Sequence, residues 1–313
     1  MIKVGIIGAA GYTAGELIRL LVHHPQAQIV FAQSSSQAGQ PVAAVQEGLT
    51  GDTDLCFVAE ADLEAVDVLF LCAGHGKSSA FWTTHTRPEH LRVIDLAQDY
   101  RDEHDGYIYG LPEWQRDRIA SATLIANPGC FATAIQLALL PLVASGSLHG
   151  EAHVTAITGS TGAGQQPSAT THFSWRNNNL SVYKPFTHQH LLEIQRNLQI
   201  PVTFIPIRGD FARGILATAV VEWDGTQEQA EALYKEYYRT AAFTYVSDTA
   251  VDMKEVVNTN KCLLHVDVHE GHLLITSVID NLLKGASGQA VQNMNLMFSL
   301  PETTGLQLKA SAF

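Results

Sequence analysis

The first twenty-odd residues constrain the fold more than any other stretch. Ile2–Ile7 (IKVGII) is short and apolar enough for a strand buried on both faces. Gly8-Ala9-Ala10-Gly11 follows at once, and across 13–23 Leu and Ile recur at helical spacing. A strand that turns through glycines straight into a helix is how a parallel sheet begins. The turn also brings a helix N-terminus to the sheet's carboxyl edge, where backbone N–H groups hold an anion. The spacing of Gly8, Gly11, Ala14 and Gly15 is GxxGxxA/G, not the full GxGxxG. A tight turn alone also accounts for such a loop. Its place after the first strand of an alternating chain points to a dinucleotide pyrophosphate held by Gly8, Gly11, Tyr12, Thr13 and Ala14.

The alternation continues, with strands expected at 28–32, 68–72, 93–96 and 123–126 and helices or loops between them. This predicts an α/β fold whose N-terminal domain, over 1–130, is a Rossmann-like doubly wound sheet. After an apolar helix over 131–146 the pattern changes. Alternating segments at 153–158, 215–223, 263–268 and 273–280, with an amphipathic helix over 228–239, predict a second α+β domain over 131–284 with a mainly antiparallel sheet. The stretch 284–298 returns to helix.

With 31 acidic against 19 basic residues the formal net charge is -12, which argues against nucleic acid as a partner. An anionic substrate therefore has to meet a local basic pocket. The four cysteines, at 56, 72, 130 and 262, form no CxxC pair, so neither a disulfide framework nor structural zinc is expected, and a reducing, cytoplasmic setting fits. The glycine-broken start, followed by Glu16, does not read as a signal peptide, and no apolar run reaches the roughly 18 residues of a membrane span.

An NAD site usually carries an acid after the second strand for the ribose 2′-hydroxyl. Here the chain reads FAQSSSQAGQ, and Ser34, Ser35 and Ser36 offer hydroxyls without a charge that would repel the 2′-phosphate of NADP(H). A serine-rich turn is the other reading.

The stretch IANPGCFAT places Cys130 after a chain-reversing Asn-Pro-Gly and at the head of an apolar helix. A thiol there is either a small buried hydrophobe or a nucleophile whose thiolate is favoured by amide dipoles. Its position beyond the last strand of the first sheet, at the ligand-binding edge, favours the nucleophile. Downstream, TGSTGAGQQ supplies a second small-residue loop with Gly159 and Gly162. SVYKPFTHQHLLEI puts His190 and Glu193 three apart at a helix start, a pairing suited to an oriented general acid/base. His188 and His190 read less readily as a metal pair, because no third ligand is evident nearby.

Taken together, GYTAGELIRLL, DLAQDYR, GLPE, NPGCFAT, GSTGAG, HQHLLEI and DNLLKGASGQAVQNMN resemble the N-acetyl-γ-glutamyl-phosphate reductases of arginine biosynthesis, relatives of aspartate-semialdehyde dehydrogenase. The resemblance covers essentially the whole chain. It implies Cys130 as nucleophile, His190 as its acid/base partner and NADPH across the Gly8 loop. It also implies that a C-terminal helix (285–313) completes the nucleotide domain, with Asn281 and Gly285 lining the nicotinamide side. The second domain would serve catalysis and assembly into a homodimer or homotetramer.

In that chemistry Cys130 displaces phosphate from an acyl phosphate, and the thioester is then reduced to an aldehyde. Substrate phosphate and carboxylate need cations. Arg101 and Lys184 are the preferred pair among Arg101, Arg176, Lys184, Arg208 and Arg213, since each lies in a stretch that resembles the family. Two segments depart from the usual pattern: HQHLLEI in place of HRHTPEI, and IPIRGDFARGI, which brings Arg208 and Asp210. The extra cation Arg208 is compatible with a larger anionic N-acyl group such as succinyl. A reductase for aspartyl or aminoadipyl phosphates, and a non-catalytic NADP-binding regulator, are the competing readings.

Overall fold

A computed structural model describes residues 1–311 and divides the chain into two compact units. One comprises Met1–Gly129 and Ala286–Gln307; the other comprises Cys130–Gly285 and the chain end from Leu308. The segment that returns to the first unit is thus shorter than the expected 285–313, whose last two positions, 312 and 313, lie outside the described residues.

The first unit contributes strands β1 (Ile2–Ile7), β2 (Ala27–Gln33), β3 (Phe57–Val58), β4 (Val68–Leu71), β5 (Arg92–Asp95), β6 (Ile108–Tyr109) and β7 (Leu124–Ala126). Helices α1 (Tyr12–Leu21), α2 (Val42–Val45), α3 (Lys77–Thr84) and α4 (Pro112–Ser121) connect them. All pairings are parallel, in the order β3-β2-β1-β4-β5-β7-β6. This is the expected Rossmann-like sheet, and the strand order reverses between β1 and β4, where such sheets bind ligands. Burial on both faces explains the unbroken apolar run of β4, VLFL, all four residues of which are buried.

The second unit opens with α5 (Cys130–Ser145) and continues through β8 (Ala152–Thr158), α6 (Phe173–Arg176), β9 (Ser181–Val182), α7 (His190–Leu198), β10 (Val202–Arg208) and β11 (Ile215–Glu222). It ends with α8 (Gln227–Tyr237), β12 (Thr244–Val246), β13 (Cys262–His269) and β14 (His272–Ile279). Its sheet runs β12-β13-β14-β11-β8-β10-β9; only β8·β10 and β12·β13 pair in parallel. A π turn at Leu283–Ser287 leads into α9 (Gly288–Met297), which belongs to the first unit. There Ser287 Oγ donates to Thr13 O at 2.7 Å and Asn293 Nδ2 to Gly110 O at 2.9 Å.

Five strands, β3, β6, β9, β10 and β12, have no counterpart among the predicted segments. Three of them are two residues long and carry no period. In β10 (VTFIPIR) Pro206 reads against a central strand. The sheet tolerates it because β9 pairs only with Ile207 and Arg208, while Pro206 O still accepts from Tyr183 N.

Helix α5 is apolar nearly all round and contains Pro141. A proline in mid-helix lacks the N–H that the carbonyl four residues back would accept. That carbonyl, Leu137 O, accepts from Tyr238 Oη at 2.5 Å instead, and Tyr234 Oη donates to Ala138 O at 2.6 Å.

Candidate active site

In the first unit the turn after β1 is shaped by what cannot be there. Gly8 has φ +75°, and a Cβ on it would lie 2.7 Å from Ala73 Cα, so both conformation and space demand glycine. Gly11 starts α1 with no side-chain cap and no acid in the first turn, which leaves the opening amides of Tyr12, Thr13 and Ala14 to an outside anion. Gln46, which sequence reasoning did not single out, fastens the loop by donating to Ala10 O at 3.0 Å and Gly11 O at 3.1 Å. At the carboxyl end of β2, Ser34 Oγ and Ser36 Oγ lie 3.4 Å apart, Gln33 Nε2 donates to Ser35 Oγ, and no acid occurs from Gln33 to Gln46. These residues fit a dinucleotide.

Arg101 is buried in this unit. Its Nε donates to Asn127 O at 2.9 Å and its guanidinium also to Leu96 O at 3.1 Å, while Asn127 Nδ2 donates to Ala286 O and Asn127 Oδ1 accepts from Asn293. The role of Arg101 displayed here is to hold the Asn-Pro-Gly turn.

In the second unit Cys130 is the first residue of α5, half-buried, with no acid in the first turn. Gly285 lies against it: a Cβ on Gly285 would be 2.8 Å from Cys130 Cβ and 3.2 Å from its Cα. Gly285 is placed by Asp280, whose carbonyl accepts Gly285 N–H at 2.9 Å. The fully buried Asp280 carboxylate accepts from Arg213, Asn258 N, Leu282 N and Leu283 N.

An aromatic cluster surrounds the next residue, Phe131. The His188 ring centroid is 5.4 Å from it, that of His190 6.3 Å and that of Phe204 5.2 Å; the two histidines are 4.6 Å apart. His188, His190 and Glu193 are all buried. His188 Nδ1 accepts the His190 N–H at 3.2 Å, so it serves as a cap for α7. Among the described residues no group of three or more His, Cys, Asp or Glu is placed to hold a metal ion.

Tyr183, inside a quoted stretch but not singled out, packs on His188 with centroids 5.6 Å apart and carries the Arg208 guanidinium 4.2 Å over its ring. Burial pushes its phenol up to about 12; Arg208 pulls it down, and the charge of Cys130 adds to the rise. Arg208 Nε is buried without a hydrogen-bond partner. Arg208 thus comes close to Cys130 through Tyr183. Lys184, next in the chain, is exposed in a left-handed conformation at φ 45°, and Asp210 is exposed and accepts from Asn178 N. Arg176 donates to Arg208 O, Thr170 O and Ser181 Oγ and is structural.

Three positions expected at the cofactor serve loops of the second unit. A Cβ on Gly159 would meet Ala212 O at 2.5 Å, and one on Gly162 would meet Thr158 Oγ1 at 3.3 Å. Asn281 accepts from Gly214 N at 2.8 Å and donates to Thr161 Oγ1 at 3.0 Å, which uses both ends of its amide.

Comparison with known proteins follows the two units. The profile of the semialdehyde dehydrogenase NAD binding domain matches residues 3–122, and that of the semialdehyde dehydrogenase dimerisation domain matches 130–281. N-acetyl-gamma-glutamyl-phosphate reductases from Bacteroides thetaiotaomicron and Parabacteroides distasonis are 57% and 55% identical to this chain, each over the full length of both proteins. Among solved structures, aspartate semialdehyde dehydrogenase II of Vibrio cholerae, complexed with ASA, covers 96% of this chain and 98% of its own with a TM-score of 0.76 at 19% identity. The aspartate semialdehyde dehydrogenase of Candida albicans, with NADP, covers 95% and 98% with a TM-score of 0.70 at 14% identity. At such identities these structures speak to the fold alone.

Two-domain composition and site chemistry define an oxidoreductase with an NAD(P)-binding unit and a dimerisation unit, acting on a small molecule. The chain belongs to the N-acetyl-γ-glutamyl-phosphate reductase family, a branch of the semialdehyde dehydrogenases. No helix among the described residues is long and apolar enough to cross a membrane.

Proposed function

We propose that the chain reduces N-acetyl-γ-glutamyl phosphate to N-acetylglutamate 5-semialdehyde with NADPH, releasing phosphate, as a step of arginine biosynthesis in the cytoplasm. The observation that carries this reading is the surroundings of Cys130: a helix-opening cysteine, Gly285 against its Cβ, His188 and His190 against the adjoining Phe131 and Tyr183 packed on His188, in a chain 57% identical to a reductase of that name.

His190 takes the Cys130 proton, and the thiolate attacks the acyl carbon. The C–S bond forms as the bond to the phosphate oxygen breaks, and phosphate leaves with the electron pair. Amides at the start of α5 steady the tetrahedral oxyanion. The Gly8–Ala14 turn holds the dinucleotide pyrophosphate and Ser34 to Ser36 its 2′-phosphate; when bound, the cofactor supplies the hydride. Collapse of the reduced carbon breaks the C–S bond, freeing the aldehyde and the thiolate, and Glu193 orients the His190 ring throughout. Lys184 and Arg208 supply cations for substrate, while Arg101 holds the turn before Cys130. The chain works as a homo-oligomer through its dimerisation unit.

A second reading concerns the N-acyl group. Arg208, with its partnerless Nε beside Tyr183, suits an acyl group bearing a further carboxylate, such as succinyl. One assay tests both: phosphate- or arsenate-dependent reduction of NADP with the N-acetyl and N-succinyl semialdehydes. Cys130→Ser is expected to lower the rate by about 10⁴-fold or more. Retained activity in that variant overturns the proposal. A preference for the acetyl substrate that Arg208→Ala leaves unchanged removes the second reading.

A further inference from the structure

Gln46 reaches the glycine turn from 36 residues beyond Ala10, and its own backbone is held on both sides. Its N–H donates to Val42 O at 2.8 Å and its carbonyl accepts from Leu49 N at 2.9 Å, while the buried side chains of Val42 and Leu49 anchor the segment. The side-chain amide therefore arrives at a fixed place. There Nε2 donates to Ala10 O at 3.0 Å and to Gly11 O at 3.1 Å, and Gly11 O also accepts the Gly15 N–H at 2.9 Å. No peptide bond among the described residues is cis, and in a trans unit the N–H points away from its carbonyl. With the carbonyls of Ala10 and Gly11 held by Gln46, the N–H groups of Gly11 and Tyr12 face the other way. The first closes the turn onto Gly8 O at 3.4 Å, and the second is the opening amide of α1.

Gly15 is what lets Gln46 in. It is buried and its φ is outside the left-handed region, so conformation does not call for glycine there. Space does: a Cβ on Gly15 would lie 2.3 Å from Gln46 Oε1 and 2.6 Å from its Cδ. The last glycine of GxxGxxA/G thus serves a side chain far along the sequence.

We infer that Gln46 is a positioning residue of the dinucleotide site: it fixes the peptide units of the glycine turn with their carbonyls turned inward and the α1 amides turned to the pyrophosphate, and residue 15 is glycine to admit it. The inference rests on the NADPH reading above and deepens it. Gln46 holds carbonyls and not the ligand, so its effect passes through the turn, whose amides are aimed before the anion arrives. Its neutrality matters as well. A carboxylate at 46 has no proton to donate to Ala10 O and Gly11 O, and it sets a negative charge behind the amides that meet the anion. The nearest acid in the sequence, Glu47, is exposed.

The test is NADPH affinity, read by nicotinamide fluorescence with the full chain, alongside calorimetry with adenosine 2′-monophosphate, which has no pyrophosphate. Gln46→Ala is expected to weaken NADPH binding about 10-fold and Gln46→Glu on the order of 100-fold, with the monophosphate bound as by the wild type. Gly15→Ala, a change that suits a helix, is expected to displace the Gln46 amide and to weaken NADPH about as much as Gln46→Ala. The double variant Gly15→Ala/Gln46→Ala then loses no more than either single one, because both remove the same pair of hydrogen bonds. Circular dichroism reports whether each variant folds; should Gln46→Ala not fold, Gly15→Ala decides alone. Wild-type NADPH affinity in the folded variants, losses that add in the double variant, or an equal loss for the monophosphate overturn this inference and leave the cofactor assignment standing. A wild-type chain that binds no NADPH overturns the cofactor assignment, and this inference with it.

Discussion

Replacing Gly285 with alanine adds one methyl group at the point where it meets Cys130, the proposed nucleophile. The backbone of Gly285 is not in the left-handed region, so alanine is conformationally acceptable there and on propensity alone stabilises by about 0.5–1 kcal/mol. The new Cβ, however, lies 2.8 Å from Cys130 Cβ. Relief to an ordinary contact of about 3.5 Å requires roughly 0.7 Å of movement. Neither atom is the end of a flexible chain: one is fixed by the start of α5, the other by the hydrogen bond to Asp280 O. Overpacking of this kind costs about 1–3 kcal/mol, so net destabilisation is about 1 kcal/mol. The catalytic effect is larger, because misplacing a reacting atom by about 1 Å costs on the order of 100-fold. Gly285→Ala is therefore expected to lower kcat/KM about 10- to 30-fold, with NADPH affinity within about twofold of wild type. Steady-state rates with a fluorescence titration of NADPH read both. Wild-type kcat/KM, or a loss expressed wholly as weaker NADPH binding, refutes the assignment of Gly285 to the thiol.

Two other predictions address single side chains. His188→Ala removes the acceptor for the His190 N–H and is expected to cost about 1 kcal/mol in urea unfolding, whereas His188→Asn, which keeps an acceptor, recovers most of it. Asp95 is fully buried, and burial raises its carboxyl to about 6, with Asp99 adding and Ser78, Ala97 N and Arg101 opposing. Because the folded state holds this proton more tightly than the unfolded chain, stability is intact below about pH 4 and is lost as pH rises towards 6. Asp95→Asn should abolish that slope, so its stability relative to wild type rises between those pH values by on the order of 2 kcal/mol and then levels. An unchanged difference across that range, in urea midpoints, refutes it.

What could be read in advance follows physical periodicity. The first sheet was legible because β1, β2 and β4 are apolar runs set between helical spacing. In the second sheet β8, β11, β13 and β14 alternate over seven or eight residues, whereas β10 was masked by Pro206. The start of α5 at Cys130 was legible from the Asn-Pro-Gly turn before an apolar run. The contact between Cys130 and Gly285 spans the whole second unit, and no local pattern encodes it. His188 was visible as an imidazole near a helix start, but capping depends on which nitrogen faces the amide. Tyr183 carried no signal until Arg208, far along the chain, was placed on its ring.

Pro141 has a consequence for inheritance. The break it makes in the helix that Cys130 opens is closed by Tyr238, with Tyr234 on the adjoining carbonyl. Phenylalanine at 238 would strand a buried oxygen as long as proline stays at 141. With a residue bearing an N–H at 141, the hydroxyl loses that purpose. The two sites, almost a hundred positions apart, are thus tied through one carbonyl.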